Sequence, residues 1–424
     1  MRATSDARGW RRAVGGTMRH VLVIGAGAAG MMAAIFAARS GARVTLLERT
    51  KDGGRKILIS GGGRCNVLPS RVDEGRFVTD SSPNVLRRIL RSWPLASQIE
   101  FFEQDLGIPL EHEEESLKLF PASHKARDVR DGLLDCCQRD GVQLVTETGV
   151  TDIAPDGARW LVSCDDGRTF DADAVVVATG GLSVPNTGSD GRGLAILRRL
   201  GHTLHTTYAA LTPITVEPCE FTELAGISLP VTLSAKSGTE TAKATGGFLF
   251  THRGYSGPSV LNVSHVAVRA RVSNAPRATI AVRWTPHGEE DWNARLQPHG
   301  ARTVSGAVRA ELPERLAAVL IRRANVDPLR PLTELRREER LRLVDVLVRG
   351  ELPWAADEGY KKAEVTGGGV SLAEIDHRTM QSRRHPGLYL CGEVLDAFGP
   401  IGGYNFLWAW TTGRAAGQGA ASGG

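Results

Sequence analysis

The run His20-Val-Leu-Val-Ile-Gly25-Ala-Gly27-Ala28-Ala29-Gly30, an Ala-rich segment to Ser40, and Gly41-Ala-Arg-Val-Thr-Leu-Leu-Glu48 decide how the chain reads. An apolar segment of strand length meets a Gly-x-Gly-x-x-Gly turn. A helix-length segment and a second apolar strand follow, and that strand ends in an acid. This order is the dinucleotide-binding fingerprint. Gly25 permits the tight turn, Gly27 lets backbone approach a pyrophosphate, and Gly30 lets the helix pack closely on the strand. The helix start at Ala28 and Ala29 offers unpaired N–H groups and a positive dipole end to phosphates. Glu48, 18 residues beyond Gly30, is placed to bind a ribose diol and disfavours a 2′-phosphate. Residues 21–38 are almost wholly apolar, but three glycines in six residues and the short length argue against a membrane span.

Working outward, Arg49-Thr-Lys-Asp-Gly53-Gly54-Arg55 and Ser60-Gly61-Gly62-Gly63-Arg64-Cys65-Asn66 bring two glycine clusters with cationic neighbours. Such loops present backbone N–H groups to anions. A second glycine-rich segment directly after the acid suits FAD better than NAD. The expected flavin-side contacts here are Arg49, Gly54, Arg55, Gly61, Gly62, Arg64, Cys65 and Asn66. Ala174-Val-Val-Val-Ala-Thr179-Gly180 reads as a buried strand whose end approaches the pyrophosphate, and Val150 as a backbone contact to adenine. Leu388-Tyr-Leu-Cys391-Gly392-Glu393-Val-Leu-Asp396 reads as a strand ending in acids that could meet a ribityl hydroxyl. Gly399-Pro-Ile-Gly402-Gly403-Tyr404-Asn405 opens a helix whose first-turn N–H groups could stabilise an anionic reduced flavin.

The 424 residues imply two or three domains. A net charge of +5, with Arg spread along the chain, is too little to call for nucleic acid. The six cysteines contain no C-x-x-C pair, so neither a dithiol nor a zinc site is expected. Free thiols suit a reducing cytoplasm. Residues 1–17 are polar and Arg-rich without an apolar export region, and read as a disordered extension. Glu111-His-Glu-Glu-Glu115 reads as a solvated loop, and Ser123 as an N-cap for a helix over 126–140. No metal site is expected. The chain divides into an FAD-binding domain (18–204 and 361–424), a β-rich insert (205–304) and a helical subdomain (305–360). Arg336, Arg337, Arg340 and Arg342 are interleaved with Glu338 and Glu339 and read as a solvated helix face.

Together these runs resemble a bacterial family of NAD(P)/FAD-dependent oxidoreductases that includes aminoacetone oxidase and bile-acid dehydro-reductases. The resemblance rests on Ile59-Ser-Gly-Gly-Gly-Arg-Cys-Asn66, Phe120-Pro through Ala126, Phe250-Thr-His through Pro258, Val365-Thr-Gly-Gly-Gly-Val370, and Gly392-Glu-Val-Leu-Asp396 through Asn405. It implies an α/β fold: a glutathione-reductase-like Rossmann FAD domain with an inserted β-barrel-like domain and a small helical subdomain, and FAD bound non-covalently. Two departures, Val67-Leu68-Pro69 and Leu407, fall at positions expected near the flavin.

The expected activity is hydride transfer between flavin N5 and a small organic substrate bound between the FAD domain and the insert. A reductase of an unsaturated or imine-like metabolite leads. An amine oxidase using O₂ is the near alternative, and a flavin-dependent RNA-modifying protein the more distant one. No second Gly-x-Gly-x-x-Gly follows a strand, so NADH or NADPH would bind only transiently at the flavin face. His252 and Tyr404 are the polar residues to test as catalytic acid or base. No nucleic-acid or membrane partner is expected, and the residues do not speak to oligomeric state.

Overall fold

A computed structural model describes residues 18–114, 116–217, 221–298 and 301–423. The expected N-terminal extension and Cys219 lie outside the described residues. Val-Leu-Val-Ile and Ala-Val-Val-Val form the centre of a five-stranded parallel sheet. Its order is Leu388–Leu390, Ala174–Val177, His20–Ile24, Arg43–Leu47, Gln143–Val145. Val21 to Ile24 and Ala174 to Val177 are buried, as a parallel sheet covered on both faces requires.

Helix Ala28–Arg39 connects the first two strands, and helix Tyr404–Ser422 packs along it. Glycines allow the approach: an added Cβ at Gly413 would lie 2.4 Å from the Ala29 carbonyl oxygen, and one at Gly417 2.2 Å from that of Ala33. The contact advances by four residues on both helices, so they run parallel. Ala29 is the second residue of its helix and Gly413 the tenth of its own. The difference of eight residues, at about 1.5 Å each, staggers the two N-termini by roughly 12 Å.

Strands Leu204–Ala210 and Val365–Val370 pair antiparallel and carry the chain out to the insert and back. The insert is a seven-stranded sheet ordered Gly350–Glu351, Thr279–Arg283, Ser228–Ser237, Glu240–Thr251, Gly254–Ser256, Ile214–Thr215, Ala356–Asp357. Its two edge strands are separated by four residues of chain, so the sheet curls towards a barrel, which shields its edges. Helix Pro258–Val272 packs on the sheet through Val260, Val263, Val266 and Ala267. Helices Glu314–Arg323 and Arg337–Arg349 bury Leu316, Leu320, Leu343 and Leu347 in that same core. The helical stretch expected as a separate subdomain therefore shares one apolar core with the insert's sheet.

Two local expectations are corrected. Leu110–Glu113 is a strand, not a loop, because it pairs antiparallel with Lys118–Pro121. Helix Ala126–Arg139 starts too late for Ser123 to cap it; the Ser123 Oγ instead accepts from the Lys125 N–H at 3.3 Å.

Candidate functional site

The carboxyl ends of the parallel strands open into a cavity of about 570 Å³, within the range of roughly 300–1,000 Å³ usual for ligand sites. Its wall includes Gly25, Gly27, Ala28 and Ala29 from the first turn, and Glu48 and Arg49 after the second strand. Gly25 has φ +100°, and a Cβ there would sit 2.7 Å from the Ala178 carbonyl oxygen. A Cβ on Gly30, which lies behind the wall, would be 1.8 Å from the Gly25 carbonyl oxygen. Nothing lies within 4 Å of the Cβ position of Gly27, so the turn there faces open space.

Glu48 is buried and well held. One oxygen accepts from the Ala26 N–H at 2.8 Å; the other accepts from the Thr50 N–H and hydroxyl, both at 2.8 Å. A carboxylate has about four acceptor positions, which leaves room for a ribose hydroxyl. Val150, Thr179 and Gly180 also line this half. The Thr179 hydroxyl is buried without a protein partner, as a group awaiting a ligand would be. Arg49 is paired with Asp190.

Gly54, Arg55, Gly61, Gly62, Arg64 and Asn66 line the middle and far half, with Gly392, Glu393, Gly402, Gly403 and Asn405 opposite. The Arg64 guanidinium lies 4.2 Å from the Phe120 ring centroid and 3.0 Å from Glu113. Oriented to satisfy both of its ends, the Asn66 amide accepts from the Gly403 N–H at 3.0 Å and donates to the Leu68 carbonyl at 3.3 Å. Gly403 has φ +86°, and a Cβ there would lie 2.3 Å from the Leu68 carbonyl carbon. Asn405 accepts from the Gly399 N–H and donates to its carbonyl, at 2.9 and 3.0 Å. The helix thus begins on a fixed loop, with the positive end of its dipole at the cavity. The Ile401 N–H donates to Asn262 of the insert at 2.9 Å, tying the two lobes together beside the site.

Glu393 is committed to the protein. Lys56 at 2.8 Å, the Ser183 hydroxyl at 2.6 Å and the Thr366 N–H at 2.9 Å all donate to it. Burial works to raise its pKa, but Lys56 and these hydrogen bonds prevail and hold it below the usual carboxylate range. Neither Lys56 nor Ser183 was marked by the sequence, because both act through Glu393, more than two hundred residues away for Ser183.

Several expected site residues stand elsewhere. Asp396 is buried behind the wall, accepting from the Thr79 hydroxyl, the Asp80 and Ser81 N–H groups and the Ser81 hydroxyl, at 2.8 to 2.9 Å. It anchors that loop and does not line the cavity. Tyr404 is buried off the cavity wall, its hydroxyl donating to the Arg71 carbonyl at 3.1 Å. Cys65 is buried and does not line the cavity; burial pushes its thiol up to about 12. His252 is exposed at the tip of the Glu240–Thr251 and Gly254–Ser256 hairpin, off the cavity wall. The flanking Phe250 and Tyr255 point into the insert's core, which turns the tip outward. The two departures also miss the cavity. Leu68 and Pro69 back Gly403, the Val67 carbonyl accepts from the Trp410 Nε1–H at 3.0 Å, and Leu407 faces a separate pocket beside Trp93.

Among the groups that the sequence did not single out, Lys118, two residues before Phe120, and Glu364, just before strand Val365–Val370, line the cavity. An acid at the point where the chain returns from insert to first domain was the available signal.

A parallel sheet with this cradle defines a dinucleotide-binding flavoprotein. Residues 19–419 match the HI0933-like protein Rossmann domain, and the chain belongs to that family. It is a FAD-dependent oxidoreductase. The open turn at Gly27, the orphaned Thr179 hydroxyl and the spare acceptor position on Glu48 fit that cofactor. The chain is 33% identical over 402 residues to the ribosomal RNA dihydrouridine synthase of Escherichia coli K12, covering 94% of this chain and 96% of that one. It is 32% identical over 413 residues to the 3-dehydro-bile acid delta(4,6)-reductase of Clostridium scindens, covering 95% and 99%. The fold is shared with the 3-ketosteroid delta1-dehydrogenase of Sterolibacterium denitrificans, at a TM-score of 0.52 and 13% identity over 96% of this chain and 100% of that chain. No helix among the described residues is long and apolar enough to cross a membrane.

Proposed function

We propose that this protein is a cytoplasmic, FAD-dependent reductase of a carbon–carbon double bond conjugated to a carbonyl, with NADH or NADPH as transient electron donor. The observation that carries this reading is the near-equal, full-length similarity to two relatives whose names share one chemistry. A dihydrouridine is a uridine saturated at the ring double bond conjugated to a carbonyl. A 3-dehydro-bile acid delta(4,6)-reductase acts on double bonds conjugated to a ketone. The unsaturated-metabolite expectation is thus narrowed to one bond type, while the amine-oxidase alternative gains no support from these names. Uridine in ribosomal RNA is the first substrate to test and a 3-oxo steroid diene the second, so the expectation of a small-molecule partner alone is widened.

The bound, reduced flavin supplies hydride. This chain supplies the rest. Pro258 and Leu261 from the insert and Phe398 and Ile401 from the loop before the last helix give the cavity an apolar wall that excludes water. The N-terminus at Tyr404 presents its positive dipole end where negative charge would collect.

The test is anaerobic. NADH or NADPH should bleach the yellow protein, and an unmodified ribosomal RNA transcript or a 3-oxo steroid diene should restore its colour. Mass spectrometry should then find two hydrogens gained by the substrate. Failure of both nucleotides to bleach the flavin, or of both substrates to reoxidise it, overturns the reading.

A further inference from the structure

We propose that Glu364 is the catalytic acid that delivers the second hydrogen, as a proton, to the substrate carbon next to the carbonyl. This rests on the reading of the protein as a double-bond reductase. Saturating a conjugated double bond takes a hydride at one carbon and a proton at its neighbour, so the cavity needs a proton donor.

The other carboxylates on its wall are poorly suited. Five carboxylates line the cavity: Glu48, Asp52, Asp190, Glu364 and Glu393. Glu48 and Glu393 each accept three hydrogen bonds from the protein. Asp52 pairs with Arg130 and Arg55, and Asp190 with Arg49 and Arg192. Glu364 alone of the five has no side-chain hydrogen bond and no ion pair among the described residues. Lys56 is bound to Glu393 and Ser183, and arginines do not release protons in proteins.

Its backbone fixes its place. The Glu364 N–H donates to the Leu211 carbonyl at 3.2 Å, where strands Leu204–Ala210 and Val365–Val370 cross between the lobes. The residue shares the cavity with Leu261 of the insert and Ile401 of the first lobe, where a substrate between the lobes would sit. Glu364 is an exposed residue; the protein packed around its carboxyl raises its pKa, with Lys118 pulling the other way. That keeps more of it in the protonated form an acid catalyst needs. Arg55, Lys56, Arg64, Lys118 and Glu393 are the other charged groups on the middle and far half of the cavity wall.

The step balances. The carbon β to the carbonyl takes the hydride, and the double-bond electrons move towards the carbonyl oxygen. The α carbon then takes the Glu364 proton: its O–H bond breaks and a C–H bond forms. Water reprotonates the carboxylate before the next turnover, and NADH or NADPH supplies the electrons.

The test uses the holoenzyme in two half-reactions. Glu364→Gln should keep its flavin spectrum and be bleached by the nicotinamide at the wild-type rate. Its reoxidation by the substrate that serves the wild type should slow by ~100-fold or more. Glu364→Asp, which keeps the acid, should recover part of that loss. Wild-type reoxidation should fall as pH rises through the Glu364 titration, and the Gln variant should lose that dependence. A further readout needs no substrate: the wild-type flavin absorbance should shift with pH as Glu364 ionises, and that shift should be absent from Glu364→Gln. Reoxidation of Glu364→Gln at close to the wild-type rate overturns the proposal while leaving the reductase reading intact. A wild type that no conjugated substrate reoxidises overturns the reductase reading, and Glu364's role with it.

Discussion

Cys65 sits in the Gly-Gly-Gly-Arg-Cys-Asn run, where a thiol close to a flavin invites a redox role. Burial removes that role: the side chain has no access to the cavity, and its thiol is pushed up to about 12, so almost none is thiolate at neutral pH. Cys65→Ser should change flavin reduction and reoxidation rates by less than about twofold, and the native holoenzyme should resist iodoacetamide at this position, as peptide mass mapping would show. The contrast with Glu48 shows what a single residue reveals in sequence. Glu48 is found by counting, because the strand–turn–helix–strand unit fixes its place locally. Glu364 cannot be found that way. Its interest lies in what does not bond to it, and that depends on elements from three parts of the chain. His252 fails for the matching reason: its Gly-rich turn was legible, but not the direction in which the hairpin tip points.

Among the elements, the paired helices set the dimensions of the site. Gly413 and Gly417 hold helix Tyr404–Ser422 against Ala29 and Ala33, and that contact fixes the stagger of the two N-termini. Gly417→Val would drive a branched side chain into the Ala33 carbonyl. We expect it to weaken FAD binding at least about tenfold and to destabilise the protein by roughly 2 kcal/mol or more, measured by flavin-release titration and thermal melting. The Ala-rich and Gly-rich compositions of both helices were visible in the sequence, but their register against each other was not. Pairing of Leu110–Glu113 with Lys118–Pro121 was likewise hidden behind a run of acids.

The short turn Leu372–Glu374 carries a pH dependence. Burial works to raise the Glu374 pKa, but hydrogen bonds from Arg384, Thr203 and His202 prevail and hold it at about 2, against an ordinary 4.5. Burial keeps His202 neutral, with its own pKa lowered, so the contact at 2.9 Å is an imidazole donating to a carboxylate. A depressed carboxyl pKa gives stability that is complete above about pH 4.5 and is lost as pH falls towards 2. Melting temperature should therefore decline through that window, and Glu374→Gln should flatten this limb. The substitution should also lower stability at neutral pH.

At the scale of the molecule, two lobes with separate main cores meet at a third, small apolar cluster, where Tyr208, Leu211 and Val365 of the two-stranded connection pack with Val268 of the insert's helix and with Phe398. The first lobe's class was legible because its central strands are continuous apolar runs with a glycine turn at a fixed place. The insert was legible only as β-rich: its strands are short, and the helices that complete its core come from a later part of the chain. The flavin cradle has a related property. Its first wall is Gly25 to Glu48 and its last is Gly392 to Asn405, and the strand Leu388–Leu390 and helix Tyr404–Ser422 that carry the last wall follow every other cavity-lining element in the chain. On the ribosome, where folding proceeds from the N-terminus, the first lobe must therefore wait as an open sheet while the whole insert is made and folds. Flavin loading is then an event of completed chains. A stop codon at Tyr404 should yield protein that is colourless and rapidly cut by protease, even though every residue of the opening fingerprint is present, and FAD added during translation should be retained only by full-length product.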